Sequence, residues 1–129
     1  MTATLTTEQA ELLVEAEEAQ ENAYAPYSEF KVGAAIKTTW GNIYTGANIE
    51  NINHTNTAHA EQVALHRAVF EGEDTFDAIA ISCSGETVPP CGLCRQSLSE
   101  FCSEDMEIIL DDERVYTLSE LLPEPMQTL

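Results

Sequence analysis

The sequence has almost no positive charge. Only Lys31, Lys37, Arg67, Arg95 and Arg114 oppose 23 acidic residues, which leaves a formal net charge of −18. So acidic a surface repels phosphate backbones and argues against a nucleic-acid partner. No apolar run approaches the roughly 18 residues that a membrane-spanning helix needs. The stretch after Met1 carries Glu8, Glu11, Glu15, Glu17 and Glu18 and no basic residue before Lys31, the opposite of a secretory signal. The expected location is therefore the cytoplasm, with no membrane partner. Internal repeats, linkers and low-complexity tracts are also missing.

What is present suffices for a core. Hydrophobic residues make up 43% of the 129 positions, and they recur with clear periodicity, so the acidic excess does not signal disorder here. The length fits a single domain spanning residues 1–129. Acid excess with scarce lysine resembles proteins of salt-accumulating organisms, in which concentrated cations screen hydrated carboxylates.

Thr6 and Gln9 have the spacing of a capping box, and Leu12, Leu13, Ala16, Ala19 and Ala23 continue at helical intervals, predicting a helix over about 7–23. Pro26 ends that pattern, because the residue before a proline is pushed out of helical geometry. Two β-prone runs, about 30–37 and 43–48, flank Thr39-Trp40-Gly41-Asn42 and read as a hairpin. A second helix starts at His59 and ends near Gly72. A strand over 76–82 and a loop with Gly85 and Pro89-Pro90 lead to a third helix at about 91–101. Strands at about 107–110 and 115–116 and a short helix at 118–122 complete the chain. Helices falling between strands predict an α/β fold with one central mixed sheet.

Four cysteines are placed unequally. Cys91 and Cys94 form a C-x-x-C, whereas Cys83 and Cys102 stand alone. In an intracellular chain that pair suggests metal or redox chemistry before a structural disulfide, and no thioredoxin-like pattern surrounds it. On the first turn of a helix the two thiols share a face, and the free N–H groups and helix dipole stabilise thiolates. A third ligand comes from His59-Ala60-Glu61 at the start of the preceding helix. Together with Pro90-Cys91-Gly92-Leu93-Cys94 it matches the H-x-E, P-C-x-x-C signature of zinc-dependent nucleobase deaminases. Three protein ligands leave the fourth tetrahedral position to a water, whose pKa zinc lowers to about 7, making hydroxide available. Glu61 is then the catalytic proton shuttle. Residues two apart on an ideal helix point about 200° apart, so His59 and Glu61 reach one site only if His59 sits at the non-ideal helix start.

The chain resembles the short homotetrameric cytidine deaminases. Ala23-Tyr-Ala-Pro-Tyr-Ser28, Phe30-Lys-Val-Gly-Ala-Ala35, Gly46-Ala-Asn-Ile-Glu-Asn51 and Pro90-Cys-Gly-Leu-Cys-Arg-Gln96 stand in the order of that family, over a span from about Leu12 to Pro123. The resemblance implies a three-layer α/β/α sandwich with a five-stranded mixed sheet and a Zn2+ cofactor. It further implies hydrolysis of cytidine and 2′-deoxycytidine to the uridines and ammonia, within pyrimidine salvage. The partners it implies are a small-molecule nucleoside and further copies of the chain in a homotetramer. Asn48 and Glu50 are expected to bind the ribose and Phe30 to pack on the base or sugar. This chain departs from many short members in having His59 for a cysteine and Gln62 for an arginine. Two thiolates and a neutral imidazole already balance zinc, so the two departures are mutually consistent. His54 and Met126 stand where the family carries aromatic residues near a neighbouring subunit's site, and a methionine sulfur still contacts a ring favourably.

Other assignments remain open at this level. A blasticidin-type aminopyrimidine deaminase shares the zinc motifs. A polynucleotide cytosine deaminase would need basic and aromatic contact elements that the chain lacks. A closed structural zinc site would need Cys83 or Cys102 as fourth ligand and would leave Glu61 without a role. Without zinc chemistry, Cys83 and Cys102 are expected to be small buried hydrophobes.

Overall fold

Thr6 begins the first helix as its spacing predicts. Its Oγ1 accepts from Gln9 N at 3.1 Å while Gln9 Oε1 accepts from Thr6 N at 2.9 Å, which satisfies two helix-end N–H groups at once. A computed structural model describes residues 5–84 and 86–126 of the chain, and Gly85 of the predicted loop lies outside them. Helix α1 covers Thr7–Ala19 and then tightens into a 3-10 turn, Gln20–Asn22, rather than running to residue 23. The chain leaves the helix because Tyr24 N donates to Asn48 O and Glu50 N donates to Tyr24 O, which draws this segment onto the end of a strand.

The hairpin forms from β1, Gly33–Thr38, and β2, Ile43–Ala47. β1 starts three residues later than its sequence suggests. Phe30 and Val32 are held mainly by a side chain: Asn48 Oδ1 accepts from Val32 N at 2.9 Å and its Nδ2 donates to Phe30 O at 2.8 Å, while Asn48 N donates to Val32 O at 3.2 Å. The other elements are α2, Ala60–Phe70; β3, Phe76–Ser82; α3, Gly92–Phe101; β4, Glu107–Ile109; β5, Val115–Thr117; and α4, Leu118–Leu121. Strand order is β2-β1-β3-β4-β5, with β3 and β4 parallel and the remaining pairs antiparallel.

Side chains alternate across this sheet and divide the core in two. Ala34, Ile36, Ile79, Ile81 and Ile108 pack with Ala64, Leu65 and Ala68 of α2, Leu98 of α3 and Leu118 of α4. Ala35, Ala78, Ala80 and Ile109 point to the opposite face, against Leu12, Leu13 and Ala16 of α1. This is the three-layer α/β/α sandwich with a five-stranded mixed sheet that the motifs imply. Each fully buried isoleucine or leucine contributes about 1.5–3 kcal/mol of transfer free energy. Small residues set the layer spacing. A Cβ on Gly46 would stand 2.4 Å from Ala64 N and 2.6 Å from Ala60 O, so only glycine lets α2 lie this close to β2. That contact seats the first turns of α2, where the motif residues lie. No helix among the described residues is long and apolar enough to cross a membrane.

Candidate metal centre

Two helix starts meet beside the sheet. His59 is the N-cap of α2, with extended backbone at φ −80° and ψ 155°, and Cys91 is the N-cap of α3, at φ −69° and ψ 168°. The extended conformation at His59 is the non-helical start that H-x-E needs, since it lets the imidazole and the Glu61 carboxylate border one space. Gln62 Oε1 accepts from His59 N at 3.0 Å and fixes that backbone.

The three metal-ligand candidates converge. His59 Nδ1 lies 3.2 Å from Cys94 Sγ and 3.3 Å from Cys91 Sγ, and the two sulfurs are 3.6 Å apart. A tetrahedral zinc with ordinary bond lengths places its sulfurs about 3.8 Å apart and sulfur from nitrogen about 3.6 Å, so the donor set fits zinc in both chemistry and spacing. Burial first, and then the Glu61 carboxylate, raise the Cys94 thiol pKa. A cation among the donors reverses that preference by stabilising thiolates. No further His, Cys, Asp or Glu joins the trio among the described residues. Cys83 is buried at the end of β3, its thiol donating to Lys31 O at 3.1 Å. Cys102 ends α3, and burial pushes its thiol up to about 12. A closed four-ligand site is therefore not built by these residues.

The trio borders a cavity of about 270 Å³, lined by Phe30, Asn48, Glu50, His59, Glu61 and Cys91, with Ser28, Val32, Thr57, Ala60, Val88 and Pro89 completing the wall. Glu61 is only 6% exposed. Burial raises its carboxyl pKa, partly offset by its own backbone N–H, by His59 and by the Cys94 thiol. A larger groove of about 460 Å³ runs between α1 and the sheet, far from these groups in composition, lined by residues such as Thr6, Lys37 and Glu107.

Asn48 and Glu50 are tied more firmly than the sequence alone indicates. Both ends of the Asn48 amide are engaged by the Phe30–Val32 backbone. Glu50 Oε1 accepts from Tyr27 N at 3.0 Å and Ser28 N at 3.1 Å, and Oε2 accepts from the Ser28 hydroxyl. The Ser28 hydroxyl is the chief reason the Glu50 carboxyl lies below its ordinary pKa. Ser28 Oγ also accepts from Phe30 N at 3.0 Å, and Glu29 between them adopts a left-handed φ of 58° that turns Phe30 toward the cavity rim. Tyr27 and His54 meet edge to face, ring centroids 6.3 Å apart. The sequence marked Tyr24–Ser28 as a helix break and as part of a family motif but gave Ser28 no role; the signal for one was its place two residues past a proline, where a hydroxyl commonly bonds in a turn.

Residues 6–110 match the family described as the cytidine and deoxycytidylate deaminase zinc-binding region. The cytidine deaminase of Sporosarcina psychrophila is 43% identical over 117 residues, covering 87% of this chain and 86% of that protein. That of Halalkalibacterium halodurans is 44% identical, covering 87% and 89%. A crystal structure of cytidine deaminase from Burkholderia pseudomallei superposes with a TM-score of 0.86 at 37% identity, covering 95% of this chain and all of that one. A His-Cys-Cys trio that fits zinc borders a pocket holding a buried glutamate, and with the family match over residues 6–110 and these relatives the assignment follows: the chain belongs to the cytidine deaminase family.

Proposed function

We propose that this protein hydrolyses cytidine and 2′-deoxycytidine to uridine and 2′-deoxyuridine with release of ammonia, using His59, Cys91 and Cys94 to hold zinc, Glu61 to move protons and Phe30, Asn48 and Glu50 to receive the nucleoside. The observation that carries this is the cavity itself. It places a buried carboxylate and a His-Cys-Cys trio on one wall, with a polar pair and an aromatic ring on the others.

Zinc, when bound there, polarises a water so that hydroxide is available near neutral pH. Glu61 takes a proton from the attacking water on a carboxylate oxygen, delivers it to N3 of the pyrimidine, and later serves the departing amine. Its burial keeps competing water away from that carboxylate. Glu50 has three of its roughly four acceptor positions engaged by Tyr27 and Ser28, which fixes the carboxylate and leaves capacity for a ribose hydroxyl. Asn48 holds the Phe30–Val32 backbone and so sets where the Phe30 ring meets the nucleoside.

The functional unit is a homotetramer of this one domain, residues 1–129. Supporting this, Ile52 and Met126 are exposed, at 78% and 71%, and large apolar side chains at Trp40 and Phe70 are also open to solvent. Cys91 and Cys94 are in no disulfide and so can ligate as thiolates, which suits a reducing cytoplasm.

The test is loss of cytidine ultraviolet absorbance with and without a zinc chelator. We expect activity that chelation abolishes and added zinc restores. Turnover unaffected by complete metal removal would overturn the zinc mechanism, and turnover of blasticidin-type substrates with none of cytidine would replace the substrate.

A further inference from the structure

The two residues that follow Cys94 both reach for the C-terminal segment. Arg95 Nε donates to Pro90 O at 2.7 Å, and its Nη1 donates to Leu121 O at 2.7 Å. Pro90 is fully buried and immediately precedes Cys91. Leu121 closes the four-residue α4, whose last carbonyls have no partner within the helix. Gln96 grips the chain five residues further on: its Oε1 accepts from Met126 N at 3.0 Å and its Nε2 donates to Met126 O at 3.0 Å. Ser99 Oγ, 3.2 Å from the same Nε2, orients that amide.

This use of arginine is costly in a chain with five cations against 23 acids. Arg95 forms no ion pair among the described residues; its guanidinium bridges two main-chain carbonyls, a task suited to a planar fork of donors and beyond the single ammonium of lysine. The same short stretch, Cys94-Arg95-Gln96, therefore carries a metal donor and two grips on the tail. Pro123 and Pro125 keep the segment between the grips from coiling into helix.

We infer that Arg95 and Gln96 are positioning residues that couple the metal loop to the C-terminal segment, so that zinc and the docked tail each stabilise the other. Zinc holds Cys91 and Cys94 in one arrangement, which fixes Pro90 and the first turn of α3 and so sets the span that Arg95 bridges. A docked tail holds Arg95 against Pro90 in return. Coupling of this kind is reciprocal by thermodynamic necessity. The inference rests on the His59-Cys91-Cys94 zinc site proposed above.

The test has three readouts that do not depend on turnover. In the purified full-length protein, zinc content is measured first, then the rate of zinc transfer to a colorimetric chelator, and amide exchange at Leu122 and Met126 with zinc bound and removed. Removing zinc is expected to speed exchange at those two amides severalfold while the β3 amides, Phe76–Ser82, change little. Arg95→Lys is expected to release zinc about tenfold faster, as expected for loss of a charge-assisted bond, and Gln96→Ala to release it faster by a smaller factor. Release from Arg95→Lys within twofold of the parent, or tail exchange indifferent to zinc, overturns the coupling while leaving the metal site standing. If Arg95→Lys does not fold, the exchange comparison on the parent protein decides alone. A parent protein that binds no zinc overturns the metal site itself.

Discussion

The backbone N–H of His59 donates to Gln62 Oε1 at 3.0 Å, so the side chain just past Glu61 secures the residue that presents Nδ1 to both thiols. Charge balance alone explains why a glutamine is tolerated beside a His-Cys-Cys site. The hydrogen bond explains what it does there.

Gln62→Ala should therefore cost about 1 kcal/mol, the usual worth of a helix-start cap, without changing zinc stoichiometry. Gln62→Glu keeps the acceptor and should stay close to the parent. Thermal unfolding of the zinc-loaded protein, with metal analysis alongside, distinguishes the two. Equal melting temperatures for parent and alanine variant would show that the cap contributes nothing.

Glu61→Gln should retain zinc and lose turnover by about 10⁴-fold or more, because an amide cannot accept a proton at the pocket wall and this carboxylate serves several steps. Glu61 makes none of the three close donor contacts, so the metal should remain. Steady-state rates with cytidine and zinc content measured on the same sample check this. Activity within threefold of the parent removes Glu61 from the mechanism.

Ser28 offers a pH test. The Glu50 carboxyl is held below its ordinary value chiefly by the Ser28 hydroxyl, so its folded pKa is depressed relative to the unfolded chain. The sign follows: its contribution is present above the unfolded value and is lost as pH falls through the lower, folded one. Ser28→Ala removes the largest cause and should move the acid-side rise in KM for cytidine to higher pH. An unmoved acid limb would mean that Glu50 ionisation does not govern nucleoside binding.

Asn48 is 8% exposed and both ends of its amide are engaged. Asn48→Ala leaves Val32 N–H and Phe30 C=O without these partners, and because Phe30 is exposed and Val32 only partly buried the loss is about 0.5–1.5 kcal/mol per hydrogen bond. We expect lower stability in denaturant titration and a raised KM, with one zinc per chain retained. Unchanged stability together with raised KM would instead make Asn48 a direct substrate contact only.

How much of this was legible in the sequence depends on the range of the interactions involved. Thr6 with Gln9, the 76–82 strand and the His59, Cys91 and Cys94 trio were legible because each rests on local spacing or on donor chemistry. The starts of β1 and the end of α1 were not, because both are set by Asn48 and its neighbours reaching across the fold. Ser28 was hidden for the same reason: its partner Glu50 is 22 positions away. Arg95 and Gln96 stood in a family motif but without a role of their own, since main-chain partners leave no signature in side-chain patterns.

Salt tests the assembly. Each chain carries a formal charge of −18, and bringing four together sets those charges against one another across every interface. At about 0.01 M salt the repulsion acts over roughly 30 Å, whereas at 1 M it is screened within roughly 3 Å. The metal donors are held by short contacts between two helix starts and are far less sensitive to such long-range repulsion. Association should therefore fail before zinc is lost. We predict a tetramer in molar potassium chloride, and dissociation with falling activity as salt is removed, reversible while zinc is retained. Light scattering across a salt series, run beside the cytidine assay, reads both. A fully active monomer would contradict the homotetramer as the functional unit, whereas an active tetramer at millimolar salt would show that interface contacts outweigh the repulsion and that the acidic surface is no adaptation to salt.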